Sequence, residues 1–402
     1  MYRFQKMRWP LPLLFLWFVT VWCGLVPSLT SADERLTLQK SLELNDTDES
    51  YAINAAVRVL EDPSNSLTLN EVSQPEREKD FIVAREGPLN IGYSESSFWI
   101  KLPIRYVGKQ SASEWWVQLD LPLLEYSEFH LISEMDGIPN RVVKKTMSYE
   151  TPLQERDVNH VTQVYRFSLN KGEKAMLYLK IKNNFSIHLP LSIYTPEGFT
   201  NHVAVEELLY GAFIGAILIM IAYNMFMFIS VRERSFLLYI FFMIAYLIFL
   251  MTERVHGLSL WGDIPSILHK QNLSYYIWGS WFFALLMARS FLETKEREPG
   301  LDFVIKVLIC IVILSMVITA YTDLTTGIQW AVFCTMFYAI LMVWIAYTVM
   351  MRGNAAARFY FAAWTLNFIG VVIYAFTVTG YLEFNFLTGN SPHIGIVGQL
   401  VL

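Results

Sequence analysis

From Leu208 to Leu402 the chain is a succession of long apolar runs broken by isolated charges, and this pattern restricts the fold more than any other feature. About 20 consecutive apolar residues cross a bilayer as a helix, and in hydrocarbon a helix is the form in which a single segment satisfies its own backbone. The runs place spans near Leu208–Ser230, Phe236–Glu253, Leu273–Leu292, Phe303–Tyr321, Ile328–Met351 and Phe359–Leu382, with a seventh starting near Pro392. If these alternate across the membrane, the inner links carry Arg232, Arg234, Lys295, Arg297, Lys306, Arg352 and Arg358, and the outer links only Arg254 and Lys270. That is the asymmetry of the positive-inside rule. Arg352 and Arg358 then flank a tight cytoplasmic turn bent at Gly353-Asn354.

The other half differs. Asp33 to Glu207 holds 27 acidic and 18 basic residues, net −9, whereas the remainder to Leu402 holds 9 and 10. An acidic, water-facing domain thus precedes a hydrophobic block, and nothing is basic enough to suggest nucleic acid. Arg3, Lys6 and Arg8 precede an apolar core, Leu11 to Val26, and the small residues Thr30-Ser31-Ala32. Residues 1–32 therefore read as a secretory signal peptide. Beyond it only Cys310 and Cys334 remain, both in apolar runs. An exported domain without cysteine suits a bacterial periplasm better than a disulfide-stapled ectodomain.

Between Tyr51 and Tyr194, alternating stretches such as "FWIKLPIRYV", "WWVQLDLPL", "QVYRFSLN" and "AMLYLKIKN" are separated by turn signals such as "MDGIPN" and "LNKGE". Period-two patterning with Gly, Asn and Pro punctuation predicts an antiparallel all-β sandwich or barrel, taken here as a β-sandwich over residues 33–200. Its boundary with the membrane block, residues 206–402, falls in the polar "TPEGFTNH".

The run "YGAFIGAILIMIAYNMFMFISVRERSFLLYIFF", then "HGLSLWGDIP", "ARSFLETKEREPGL", "RGNAAARFYFAAW" and "GYLEFNFLTGNSPHIGIVGQ", resemble in order the bacterial seven-transmembrane receptors with diverse intracellular signalling modules. "VRVLEDPSNSLTLNEV", "NIGYSESSFWIKLPI", "LPLLEYSEFHLI" and "LYLKIKNNFSIHLPLSIY" resemble their type 2 extracellular domain. The resemblance implies a jelly-roll-like, carbohydrate-binding-like periplasmic domain followed by a seven-helix transmembrane bundle in the bacterial inner membrane, with the C-terminus cytoplasmic. Lys101 and Lys180 stand where that ectodomain pattern more often has arginine, and Gln399 where span seven often has an acid. The seventh span stops eleven residues in, at Leu402, about 16 Å of helix. In the resembled receptors this helix leads to a histidine kinase, diguanylate cyclase or phosphatase, so the expectation is a fragment, truncated in its seventh helix, of a longer protein.

Chemistry is sparse. No Walker loop, zinc spacing or nucleophile elbow is present, so the visible chain reads as a non-enzyme with no metal and no cofactor. The lysine nearest a span, Lys306, sits at a membrane edge, which leaves a retinal Schiff base without its amine. Glu253, Arg254 and His256 cluster at the outer end of span two, where they either form a local ion pair at the interface or receive the ectodomain, and Asn224 and Asn367 are mid-span amides suited to interhelical hydrogen bonds. In the ectodomain, Trp99, Trp115, Trp116 and Arg156 are the ligand-binding candidates: an exposed Trp is a stacking platform, although Trp99 is most simply core and Trp115 and Trp116 equally suit core or interdomain packing, and an Arg beside Glu155 and Asp157 binds an anion or forms a surface pair. Trp115 and Trp116 are neighbours on a strand, so one faces the core and the other the opposite surface. Asp120, Glu125 and Glu128 match no compact calcium loop. The expected partners are the lipid bilayer and a small, carbohydrate-like ligand or another receptor's ectodomain, with a homodimer in keeping. Two function classes follow: a signal-transducing receptor, or a transport or assembly module with a structural β domain.

Overall fold

The structure, a computed structural model, describes residues 41–83, 89–135, 138–184, 187–255, 266–378, 382 and 386–401. The expected signal peptide lies outside these residues, as does His256.

The N-terminal part is all β. Its larger sheet runs β4 (Ile82–Val83), β3 (Arg58–Asp62), β6 (Ser97–Tyr106), β11 (Lys174–Lys182), β8 (Tyr126–Met135), β9 (Ile138–Ser148), and β1 (Leu42–Leu44) lies parallel beside the end of β6. The smaller sheet runs β10 (Gln163–Asn170), β7 (Ala112–Leu119), β13 (Leu191–Tyr194), β2 (Ser50–Ala52). A two-stranded ribbon joins β5 (Leu89–Gly92) to β12 (Ile187–Leu189). Alternation decides which side chains meet. Phe98, Ile100, Leu102 and Ile104 of β6 and Leu177, Leu179 and Ile181 of β11 face Trp115, Val117, Leu119, Phe167 and Ile193 of the smaller sheet in one buried core. Each such side chain contributes roughly 1.5–3 kcal/mol by leaving water. The β10–β11 hairpin turns at Gly172, whose φ of +79° is a glycine conformation.

The outward face of β6 is buried as well. A strap, residues 63–83, returns across the larger sheet, and its Val72 and Phe81 pack with Leu60, Trp99 and Tyr178 in a second cluster. Simple alternation does not reveal this layer, because the covering segment is itself polar.

The membrane block is helical: α1 (Pro196–Val231), α2 (Arg234–Glu253), α3 (Leu273–Phe291), α4 (Pro299–Thr319), α5 (Leu324–Met351), α6 (Ala356–Val378) and α7 (Ser391–Val401). Five of these, α1, α2, α4, α5 and α6, are long and apolar enough to cross a membrane. Trp278, Ala284, Leu285 and Ala288 of α3 and Tyr338, Met342 and Ile345 of α5 lie at the centre of the bundle core. At 36 residues, α1 is about 54 Å long, well beyond the ~30 Å of a bilayer interior, so its first turns stand outside the apolar zone. The polar "TPEGFTNH" expected as a link is instead the start of this helix. Pro196 occupies its first position, and the Thr195 hydroxyl accepts a hydrogen bond from the Gly198 N–H at 3.0 Å. A methyl group at Gly198 would strike the Glu49 carbonyl, so β13 passes into α1 as one stiff piece pressed against the β domain. α6 and α7 are equally close: a side chain on Gly370 would meet the Ser391 carbonyl, and one on Gly398 would meet Leu366.

Candidate functional site at the junction of the β domain and the helices

The β domain sits on one end of the bundle, and the contacts are specific. Lys270, just before α3, is 2.5 Å from Glu125 and lies 4.3 Å from the centre of the Tyr149 ring. The Tyr149 hydroxyl meets His269 Nε2 at 2.8 Å, and the Thr325 hydroxyl at the start of α5 donates to the Asn184 carbonyl at 3.1 Å. Apolar contacts accompany them. Leu153 and Leu123 pack on Val255 after α2, and Leu123 also reaches Leu273 and Ile328. Trp116 packs on Phe199 of α1, with ring centres 5.2 Å apart.

At the middle of this junction is Arg254, which follows α2. Its guanidinium lies 4.3 Å from the centre of the Tyr210 ring of α1 and 4.0 Å from Glu206 one turn earlier. It donates at 2.8 Å to Asn390 Oδ1, just before α7, and the Tyr210 hydroxyl donates to the same oxygen at 2.6 Å. Glu253 lies 3.4 Å from His393 of α7, whose Nδ1 meets the Tyr246 hydroxyl of α2 at 2.7 Å. α1, α2 and α7 are therefore tied by polar contacts at the end that faces the β domain. On the β side, Pro122, His160 and Thr162 line a cavity with Glu206, Tyr210 and Arg254. At about 10 Å³ it is far below the few hundred Å³ of a small-molecule site. Asp120 is half-buried nearby, with one oxygen shut off from solvent and lacking a hydrogen-bond partner. Burial raises its pKa, and the charges of Arg254 and His202 oppose that rise. Burial pushes His160 down to about 4, aided by the charges of His202 and Arg156.

The expected site residues separate into those that meet and those that do not. Glu253 and Arg254 are at the end of the bundle that faces the β domain, where their polar partners are His393 for the first and Glu206 and Asn390 for the second, all on the helical side. Asn224 does not bond between helices: its amide donates to the Met220 carbonyl of its own helix at 2.9 Å. Asn367 is buried on α6, where its backbone abuts Gly395 of α7. Trp115 is fully buried in the sandwich core and Trp99 beneath the strap, so neither offers an open ring face. Trp116 faces the other way, and Phe199 packs on it. Arg156 neither pairs with Glu155 or Asp157 nor stands open to an anion. It is 6% exposed and donates to the carbonyls of Thr151, Tyr149, His160 and Val161 at 2.8–3.0 Å. Burial lowers its pKa to about 10. It staples the loop that carries Leu153 and His160 to the helices. The acids Asp120, Glu125 and Glu128 are dispersed: Glu125 pairs with Lys270, and Glu128 lies 2.9 Å from His130. Tyr210, Asn390 and His393 were missed. Polar residues bracketing apolar runs were the available signal, but nothing local says that three separate helix ends converge.

An extracellular β domain seated directly on a bundle of membrane-length helices defines a membrane protein of the receptor type. Two family models match the chain: "7TMR-DISM extracellular 2" over residues 54–195 and "7TM diverse intracellular signalling" over residues 206–402. The chain belongs to this family of seven-transmembrane receptors with diverse intracellular signalling modules. None of the curated proteins compared with it matches.

Proposed function

We propose that the chain is the sensing and membrane part of a signal-transducing receptor. The β domain senses a small ligand or a partner's ectodomain, and the junction passes the change to α7, which leads in this reading to an output module such as a histidine kinase or diguanylate cyclase. The observation that carries the proposal is the shared acceptor. Arg254 and Tyr210 hold the same Asn390 oxygen, so a displacement of α1, which is continuous with the β domain, changes the hold on α7. Because α6 and α7 are in backbone contact at Gly370, the two would move together. A ligand shifts such an equilibrium only by its differential affinity for the two arrangements. The topology in this reading is seven-pass in a bacterial inner membrane, with the β domain periplasmic and the C-terminus cytoplasmic. The basic links Arg232, Arg297 and Arg352 at the far end of the bundle support it.

The test is hydrogen exchange on the full chain. Lys270→Met, across the junction from α7, should change amide protection at Asn390–Gly395. Changes confined to residues 123–160 and 266–275 would favour a β domain that is only structural, as in a transport or assembly module.

A further inference from the structure

The outer face of the larger sheet, under the strap, is built unlike a structural layer. Arg58 and Lys101 are 8% and 9% exposed, and both point to one carboxylate, Glu78 of the strap. The Arg58 contact is 2.7 Å. Two residues along the strands, Lys180 lies 5.3 Å from the centre of the Trp99 ring and 3.9 Å from the buried Asp62, and donates to the strap carbonyls of Leu67 and Asn65 at 3.1 and 3.4 Å. Trp99 is 1% exposed, and its indole N–H has no hydrogen-bond partner, a donor left costly by its burial. Tyr178, Phe81 and His130 wall the same space. Two buried cations facing one carboxylate of the strap, beside an unanswered donor, form an anion site filled by the chain itself.

We infer that this face is the receptor's ligand site, closed by its own strap, and that a small dicarboxylate opens it by taking the place of Glu78 between Arg58 and Lys101. The inference rests on the reading of the β domain as the sensing part. Two carboxylates are needed because Glu78 is tethered and competes at a high effective concentration. A monoacid would only replace what is already there. A second carboxylate gains Lys180 and the Trp99 N–H, about 7 Å away on the next same-face position of the strands. The strap is suited to release. Beyond Glu78 it is held by a few apolar side chains, Val72 and Phe81 among them, by hydrogen bonds at Asn65 and at Leu67, whose N–H donates to Asp62 at 3.0 Å, and at its end by the two-residue pairing of β4 with β3.

Calorimetry on the full chain in detergent, with succinate as probe and succinamide as its neutral counterpart, tests this. Glu78→Gln should bind succinate at least tenfold more tightly than the wild type, and Glu78→Asp should fall between them. Adding Arg58→Gln or Lys101→Gln to Glu78→Gln should abolish the gain, and succinamide should bind none of them. In the wild type, saturating succinate should speed exchange of the Leu67 amide. Equal succinate affinity in wild type and Glu78→Gln, succinamide binding as well as succinate, or an unchanged Leu67 amide would each overturn the inference. Succinate binding without a change at Asn390–Gly395 would leave this site standing and sink the relay; the reverse would sink the site alone.

Discussion

The Arg254 guanidinium stacks 4.3 Å from the centre of the Tyr210 ring while both residues hydrogen-bond one oxygen of Asn390. Two helices thus reach the entry of a third through one amide. Arg254→Met should remove a charge-assisted hydrogen bond and a cation–π contact, costing on the order of 1–3 kcal/mol of stability. Arg254→Lys should restore little of it, because an ammonium lacks the planar fork that serves ring and amide together. Thermal unfolding of the two variants in detergent decides; full rescue by Lys would show that charge alone matters.

Arg156 should be as intolerant. Its guanidinium answers carbonyls along residues 148–162, and Arg156→Met would leave several buried acceptors unanswered at roughly 1–3 kcal/mol each. Loss of ordered exchange protection in that loop, measured together with the melting temperature, is the expected result. An unchanged loop would mean that the Leu153–Val255 contact suffices to hold it.

The neighbouring tryptophans should separate by context. Trp115→Ala should cost ~3–5 kcal/mol both in the full chain and in a fragment of residues 33–198. Trp116→Ala should cost distinctly less in the fragment, which lacks Phe199, than in the full chain. Denaturant unfolding of the four proteins measures this. Equal costs for Trp116→Ala would remove Phe199 as its partner.

His160 and His188 give the pH dependence its sign. Burial holds both near 4, below the ordinary value of about 6.5, so the unfolded chain takes up the protons first. Their contribution to stability is whole above pH 6.5 and is lost as pH falls from there towards 4, by up to roughly 3 kcal/mol per residue. Asp120 and Glu206, both raised by burial, Glu206 to about 7, oppose this. His188→Gln should flatten the decline in melting temperature between pH 6.5 and 4, and a profile identical to the wild type would show that His188 is not kept neutral by the fold.

Reporter fusions at Arg232, Arg297 and Asn354 should behave as cytoplasmic, and fusions at Asp263, Thr325 and Thr388 as periplasmic. The hydrogen bond from Thr325 to Asn184 places the start of α5 on the side of the β domain. One inverted fusion would break the seven-span count.

Much of the architecture was legible because it rests on local patterns. Strand β10 begins and ends where the alternating "QVYRFSLN" does, and α2 fills the expected span almost to the residue. That Glu253 and Arg254 bound an apolar run was legible; that they meet His393 and Asn390 was not. Arg156 was misread because its neighbours Glu155 and Asp157 suggested a pair, whereas the loop's path turned six carbonyl groups toward it.

Hydrophobic period and charge asymmetry are one-dimensional properties, and by themselves they determined that a β domain precedes a helical membrane block and which faces of the strands turn inward. The meeting of Arg254 with Tyr210 and Asn390, and of Arg58 and Lys101 with Glu78, was decided by the tertiary structure alone. Those partners are separated by between 20 and 136 positions. A polar side chain takes the partner that chain path and packing bring within about 3 Å, and no local pattern encodes which residue that will be.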